Sequence, residues 1–355
     1  MRKFTYVSTF LFIFSAAQAS AKVWVVNANG TGNFTTLTAA IDSAASGDTL
    51  FVAPGGYVES PSATSKTLTV LGIGFSSDSA TTWSIILNSP LALGAGSVVS
   101  GLELRGIANP AMINVNSPST VVEKCHIAAN GHDGIDVTAD SCVVRQNVFE
   151  NILPTTANGV TVTGSHLGIT ILNNVISNFN NGIMLNNGGD EIVANNAIFF
   201  AYNAAVSFGS GTFTGKIFSN IFDEDNIAIA ATSPPYYCGY NDYWQDPYGG
   251  TPSFDVGSIS SNPEFVNYSS TTGYVYGTSN LHLAAGSPCI DAGEPNVGNN
   301  DRDGSRNDMG IYGGPEMFDD TGTPIYPCVI TVAVSPYAAP LNGTITIKVL
   351  GRIGQ

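Results

Sequence analysis

A short pattern of apolar and polar positions recurs through the middle of the chain. An apolar residue, a polar turn and another apolar residue return every 22 to 27 positions. Repetition at this period, with β-type alternation and no helical pattern, predicts a solenoid. The copies are Val122–Ile127, Val144–Phe149, Ile171–Ile176, Val193–Ile198 and Ile217–Phe222.

The fourth position of each copy predicts a stacked column inside the solenoid. Asn tolerates left-handed backbone angles, and its amide can bond the equivalent Asn of the next coil. We expect Gly101 to extend the column backward and Asn241 to extend it forward, while the flanking Ile, Val and Phe point inward. The column members are Cys125, Asn147, Asn174, Asn196 and Asn220. A second strand follows most copies, at Gly134–Val137, Gly159–Val162, Gly182–Leu185 and Ile227–Ile229.

The chain on either side of the repeat predicts different elements. Residues 34–45 have apolar positions at helical spacing, so we expect a helix that caps the first coil. Residues 245–280 read as a long loop or irregular coils, and 281–314 as a terminal cap. Near the end, apolar and polar residues alternate as in two strands, Val329–Val334 and Thr344–Val349. Two strands cannot fold alone, so we expect them either to begin a further β-sandwich domain or to pack on the solenoid end.

The first 21 residues have the form of a secretory signal peptide. Arg2 and Lys3 precede an apolar run, Phe10–Ala17, and small residues follow at Ala19 and Ala21. No other run reaches the length of a membrane span. The predicted organisation is a leader at 1–21, a solenoid with caps at 22–316 and a C-terminal segment at 317–355, in a protein that is secreted or held at the cell surface.

Charge narrows the range of partners. Without Arg2 and Lys3, 10 Lys and Arg stand against 27 Asp and Glu, a net charge near −17. This balance argues against nucleic acid or an anionic membrane as a partner and suits a protein that holds Ca²⁺. We expect a monomer without membrane insertion.

The five cysteines do not form a small disulfide scaffold, because they are widely spaced. Cys125 is expected to be a buried free thiol, since it stands where later coils have Asn. A disulfide between Cys289 and Cys328 is open at this point. No CxxC pattern exists, which argues against a thiolate zinc site.

Two stretches carry a family resemblance. Asn29–Asp42 with Gly47–Tyr57 resembles the entry to the pectin lyase-like superfamily, and Ser287–Gly293 with Asp301–Gly314 resembles the end of secreted members. The resemblance, over residues 23–316, implies an all-β fold, a right-handed parallel β-helix. The superfamily includes pectate lyases, pectin esterases, polygalacturonases, alginate epimerases and non-enzymatic surface proteins. The motifs of pectin methylesterases and polygalacturonases are missing here, which disfavours those two activities.

One coil, from Glu123 to Arg145, concentrates charged residues. Our hypothesis for it is β-elimination on a uronic-acid polymer: a cation neutralises the substrate carboxylate, and a base removes the acidified proton. The alternative is a solvated cluster of turn residues. The candidate catalytic residues are Lys124, His126, His132 and Arg145, and the candidate metal ligands are Asp133, Asp136 and Asp140.

Two further segments suggest binding. The stretch 236–248 is rich in aromatic rings that could stack on sugars, although we favour the interpretation that they cover the loosening core. Its candidate substrate-binding residues are Tyr236, Tyr237, Tyr240, Tyr243 and Trp244. The loop from Asn299, with Asp301 and Asp303 before Gly304, matches the first half of an EF-hand Ca²⁺ loop; the alternative is turn hydrogen bonding.

The sequence therefore supports two hypotheses. One is an exported protein that recognises, and in its catalytic version cleaves, an extracellular polysaccharide. The other is a non-enzymatic adhesin or structural solenoid. They differ in whether Lys124, His132, Asp136 and Arg145 converge in one groove or scatter around the tube.

Overall fold

The protein is a right-handed parallel β-helix, as the repeat predicts. The structure, a computed structural model, describes residues 21–75, 84–87, 91–106, 111–153, 156–230, 237–246, 255–271, 273–320, 322, 328–335 and 344–352. Within these residues the chain visits three parallel sheets in turn, which we name A, B and C. Each coil thus adds one strand to each sheet, and the core fills the tube between them.

The strands of the three sheets are short and in register between coils. Sheet A contains Val23–Val26, Thr49–Val52, Thr69–Leu71, Val98–Ser100, Val121–Glu123, Val143–Arg145, Thr170–Leu172, Ile192–Ala194, Lys216–Phe218 and Tyr237–Gly239. Sheet B contains Gly55–Val58, Ser84–Leu87, Glu103–Gly106, His126–Ala129, Val148–Asn151, Val175–Ser177, Ala197–Phe199, Ile221–Asp223 and Asp242–Trp244. Sheet C contains Ser62–Ala63, Leu91–Leu93, Ala111–Val115, Asp133–Val137, Asn158–Thr163, Asn181–Asn187, Ala204–Gly211 and Ile229–Ala230.

The predicted asparagine column is present and continuous. Each buried amide nitrogen from Asn147 to Asn220 donates to the Oδ1 of the next Asn at 3.0 Å, and the series ends at Asn241. Cys125 joins through its backbone N–H, which donates to Asn147 Oδ1, and its thiol is free and buried as expected. The expectation for Gly101 is off by one residue. His126 pairs with Glu103, so Leu102 precedes Cys125 in the column.

Stacked apolar side chains fill the tube beside this column. Their registers across sheet B are continuous, so each inward side chain rests on the one in the neighbouring coil. The column is Ile127, Phe149, Ile176, Ile198 and Phe222, all fully buried. Close contact continues into sheet C, where a Cβ on Gly159 would lie 2.6 Å from the carbonyl oxygen of Gly182.

A short helix lies at the N-terminal end. It spans Leu37–Ser43, less than the predicted 34–45, and Thr36 caps it by accepting the Ala39 N–H. The Glu59 carboxylate also accepts the Leu37 N–H, at 2.8 Å, and so ties the first turn to the tube. That this helix acts as a cap of the solenoid stays a prediction. The predicted leader, apart from its last residue, lies outside the described residues.

The chain after the last coil is less regular. Phe265–Asn267 pairs antiparallel with Asn280–Leu283, and a 3-10 helix spans Val297–Asn299. The two predicted terminal strands are present as an antiparallel pair, Cys328–Ser335 with Thr346–Arg352. Whether they begin a further domain, and the boundaries at 22–316 and 317–355, stay predictions. In the described part of the chain, no helix has the length and apolar character needed to cross a membrane.

The suggested disulfide between Cys289 and Cys328 is wrong. Cys289 is a buried free thiol. Its Sγ lies 3.2 Å from the Asp242 carboxylate, to which it donates, and this contact fixes the side chain against the tube.

Candidate functional site

The turn between sheets A and B presents a column of left-handed residues. Lys124, Gln146, Asn173 and Asn195 have φ between 52° and 55°. Residues 306–320, which we call the strap, run back along this column and contact one corner residue after another. The contacts made by side-chain amides are Asn195 to the Asp308 carbonyl, Asn173 to the Ile311 carbonyl and Gln146 to the Glu316 carbonyl, at 2.9, 2.9 and 2.8 Å.

Ion pairs hold the far end of the strap. Lys124 Nζ lies 3.0 Å from Asp319, and both side chains are largely buried. Arg145 binds Glu123 and Glu316, each at 2.7 Å. Lys124 and Arg145, predicted as a base and a carboxylate-binding cation, are therefore engaged with acidic groups of this chain.

His126, the next predicted catalytic residue, is enclosed by protein. Its side chain is 2% exposed, its Nε2 lies 3.1 Å from Glu150, and its Nδ1 lies 3.6 Å from Glu103. The Tyr276 ring stacks on it with a centroid separation of 3.8 Å. Burial lowers the pKa of His126, but the hydrogen bonds and charges of the two glutamates outweigh burial and raise it. An imidazole enclosed between two carboxylates and stacked on a tyrosine ring is suited to holding Tyr276, and its burial separates it from any substrate.

The remaining members of the predicted lyase site lie on another face. His132 directly precedes the sheet C strand that holds Asp133 and Asp136. Asp133 accepts the Asn158 N–H at 2.8 Å, and Asp140 lies 3.1 Å from His166. His126, Asp136 and Arg145 belong to sheets B, C and A, so the structure scatters the set around the tube.

The predicted metal ligands are not assembled into a site. In the part of the chain that the structure describes, no group of three His, Cys, Asp or Glu side chains could hold a metal ion. In the C-terminal loop, Asp301 accepts the N–H groups of Asp308 and Gly314, and Asp303 accepts that of Ser305. Asn299 Nδ2 donates to Glu294. These contacts are the turn hydrogen bonding that the sequence left open.

The aromatic segment mostly serves packing. Tyr243 is 5% exposed and stacks on Phe222 inside the tube, so its ring is part of the core packing. Tyr240 lies under the guanidinium of Arg306, 5.3 Å from its ring centroid, at the start of the strap. Tyr237 meets Phe218 edge-on and Trp244 is half-buried in sheet B, while Tyr236 lies outside the described residues.

An aromatic cleft lies between the outer face of sheet B and the C-terminal chain. Sheet B presents outward apolar side chains, among them Val148 and Val175, which are paired in register and form its floor. The cleft has a volume of about 250 Å³. Its walls include aromatic rings from three parts of the chain: Phe75, Tyr274, Tyr276, Tyr312 and Phe318.

The open edge of this aromatic cleft carries polar groups. The Tyr312 hydroxyl donates to Asp320 Oδ1 at 2.5 Å, and His282 Nε2 lies 3.6 Å from Asp320 Oδ2. The His282 ring stacks on Tyr312 at 3.9 Å and its Nδ1 is 2.8 Å from Asn280 Oδ1. Burial first, and then Asp320, raises the pKa of Tyr312, so its hydroxyl is neutral and donates a proton. Aromatic faces beside hydroxyl and carboxylate groups can bind a ligand with an apolar face and a hydroxylated rim.

Sequence reasoning did not find these cleft residues. Residues 245–280 read as a long loop or irregular coils, and nothing in that pattern predicts that Tyr274 and Tyr276 line a cleft. The available signal was the presence of large rings in a stretch otherwise rich in Gly, Ser and Thr. No pattern in the sequence marks Asp320 as a cleft residue, because only the path of the strap brings it to the cleft.

Comparison with known proteins identifies a family for most of the repeat. The family model described as "Periplasmic copper-binding protein (NosD)" matches residues 41–253. No curated protein matches the chain.

Two solved structures are distantly similar. The pectate lyase Pel9A is 13% identical over 82% of this chain and 96% of that chain, with a TM-score of 0.42. The pectin methylesterase from Aspergillus niger is 13% identical over 70% of this chain and 86% of that chain, with a TM-score of 0.30. At this level of similarity, neither structure indicates a function for this chain.

Proposed function

Because this chain belongs to the NosD family, we propose that it is an exported β-helix protein that binds an extracellular polysaccharide in the aromatic cleft. The family description, which names periplasmic proteins, agrees with the export expected from residues 1–21. The observation that carries the proposal is the cleft itself: apolar floor, aromatic walls and a polar edge at Tyr312, His282 and Asp320.

The dimensions of the cleft indicate what part of a polymer it receives. Its volume of about 250 Å³ lies slightly below the 300–1,000 Å³, roughly, that is typical of small-molecule sites. It therefore suits one sugar ring, such as a chain end or a branch, more than a long run of a polymer. Tyrosine rings are large and rigid, so ordering them against a sugar costs little entropy.

A binding experiment with a matched control tests this proposal. We would screen a glycan array and then titrate the best ligand by calorimetry. Tyr312→Ala should weaken binding about tenfold, the value of one aromatic contact near 1.5 kcal/mol. Tyr202→Ala, a 49% exposed tyrosine that does not line the cleft, should leave affinity unchanged. Equal effects of the two substitutions, or no glycan bound by a folded protein, would remove the proposal.

Cleavage by β-elimination stays a prediction with weaker support. Lys124 and Arg145 are engaged in ion pairs, and His126 is buried. The direct assay is ultraviolet absorbance of the unsaturated product from pectate, alginate and glycosaminoglycans with Ca²⁺. A rise in absorbance that persists in Tyr312→Ala but is lost in Lys124→Ala would favour cleavage at the predicted lyase site over sugar binding in the aromatic cleft.

Calcium binding by the loop Asn299–Asp303 is likewise a proposal. The alternation of oxygen-bearing side chains supports it. Ca²⁺ should then raise the melting midpoint, and Asp303→Asn should abolish the rise. A melting midpoint that neither EDTA nor Ca²⁺ changes would refute Ca²⁺ binding by this loop.

Copper, which the family description names, does not fit the residues described. Copper sites use thiolate, thioether and imidazole ligands. Burial raises the pKa of Cys125 and of Cys238 to about 12, which keeps both as neutral thiols. In the described ranges, no group of three His, Cys, Asp or Glu side chains could hold a metal ion, and the proposed function contains no copper step.

A further inference from the structure

We propose that the aromatic cleft selects neutral sugars over uronic acids, and that Asp320 is the residue that sets this preference. This inference rests on the proposed function, because it names the class of sugar that the same cleft binds. It argues against the uronic-acid polymers on which the lyase hypothesis depends.

The first observation is the sign of the charge at the cleft. Among the described residues that line it, the only carboxylate is Asp320, and the only group that can become a cation is His282, 3.6 Å away from that carboxylate. Behind the wall, Glu150 accepts the Tyr276 N–H at 3.0 Å. The pKa of Tyr274 is raised by burial and then by Glu150, Tyr276 and Asp320, which agrees with a negative local field.

The second observation is that the nearby cations already form ion pairs with acidic side chains of this chain. Lys124 pairs with Asp319, and Arg145 pairs with Glu123 and Glu316. Arg105 pairs with Glu103 beneath His126. None of these three cations lines the cleft. A uronate carboxylate would therefore lose water and meet Asp320, while the one described lining group that can become a cation, His282, already lies beside the Asp320 carboxylate.

The third observation is that Asp320 suits a neutral ring. Its side chain is 58% exposed, so it can accept hydrogen bonds from a ligand. Its Oδ1 already accepts the Tyr312 hydroxyl, which fixes the carboxylate beside the tyrosine face. A carboxylate accepts at several lone-pair positions, so two neighbouring sugar hydroxyls can donate to it while the ring stacks on Tyr312.

The test compares sugars that differ only in the carboxylate. We would measure binding of three pairs of methyl glycosides by saturation-transfer NMR and calorimetry: glucoside with glucuronide, galactoside with galacturonide, and mannoside with mannuronide. Repulsion between two exposed charges near 4 Å apart corresponds to about a fivefold to tenfold preference for the neutral member. Asp320→Asn keeps an acceptor for Tyr312 and should reduce that preference to about twofold or less.

The control has the same charge change on another exposed side chain. Asp42 is exposed and lies outside the cleft, so Asp42→Asn should leave the preference unchanged. Preference for uronides in the unmodified protein, or a ratio that Asp320→Asn does not alter, overturns the inference while leaving sugar binding intact. An equal effect of Asp42→Asn also overturns it, because net charge would then be the cause. Failure to bind either member of any pair, or any glycan on the array, removes the proposed function as well.

Discussion

Removing one member of the asparagine column should destabilise the protein far more than removing the thiol that stands at its start. Asn196 Oδ1 accepts hydrogen bonds from the backbone N–H and from the side-chain amide of Asn174, each at 3.0 Å. The side-chain amide of Asn196 donates to the Ile171 carbonyl at 2.9 Å. Asn196→Ala would leave the buried Asn174 N–H without an acceptor, at a cost of about 1–3 kcal/mol. The cavity left by the amide adds about 1 kcal/mol, so we expect a loss near 3 kcal/mol.

Cys125 supplies the matched control at the same position of another coil. Its backbone N–H, not its thiol, donates to Asn147, so Cys125→Ala keeps the column intact. We expect this change to cost about 1 kcal/mol, from the lost contact of the thiol with the Glu123 carbonyl and the smaller volume. The free energy of unfolding from urea denaturation measures both. Losses that agree within about 0.5 kcal/mol would refute the idea that side-chain amides satisfy the buried turn.

Two further predictions concern the strap and pH. Lys124→Ala should lower the free energy of unfolding by about 1–3 kcal/mol, since it removes the ion pair of the largely buried Asp319, and should speed amide exchange in residues 306–320. Unchanged exchange there would contradict the role given to this pair. Burial raises the pKa of Asp223 to about 8 and that of Asp246 to about 7, above the ordinary 3.8. The native state thus binds protons that the unfolded state releases, so stability is greatest below pH 4 for these groups and falls as pH rises toward 8. Urea midpoints should show a shallower fall in Asp246→Asn, and identical slopes would contradict the assignment.

The repeat could be read from sequence because its determinants are local. The spacing of Asn147, Asn174, Asn196 and Asn220 is visible directly, and the stacked bonds follow from the chemistry of one side chain. Sequence reasoning placed Gly101 in the wrong column because the separation between copies varies from 22 to 27, so Gly101 and Leu102, 24 and 23 residues before Cys125, both fit the spacing. Only the pairing of His126 with Glu103 decides the register.

The cleft could not be read in this way because it depends on long-range contacts. Lys124 and Asp319 are 195 positions apart, and nothing local to either residue predicts that they meet. The concentration of charged residues around Lys124 and Arg145 is visible in the sequence, but their partners in the strap are not. The strap in turn carries Tyr312 and Asp320 to sheet B.

The most direct test of the central claim is a crystal structure of the protein with the neutral oligosaccharide that binds best. The account predicts one sugar ring stacked on Tyr312 or Tyr276, with its hydroxyls donating to Asp320. A sugar bound on the outer face of sheet C, near Asp136, with the aromatic cleft empty, would contradict it.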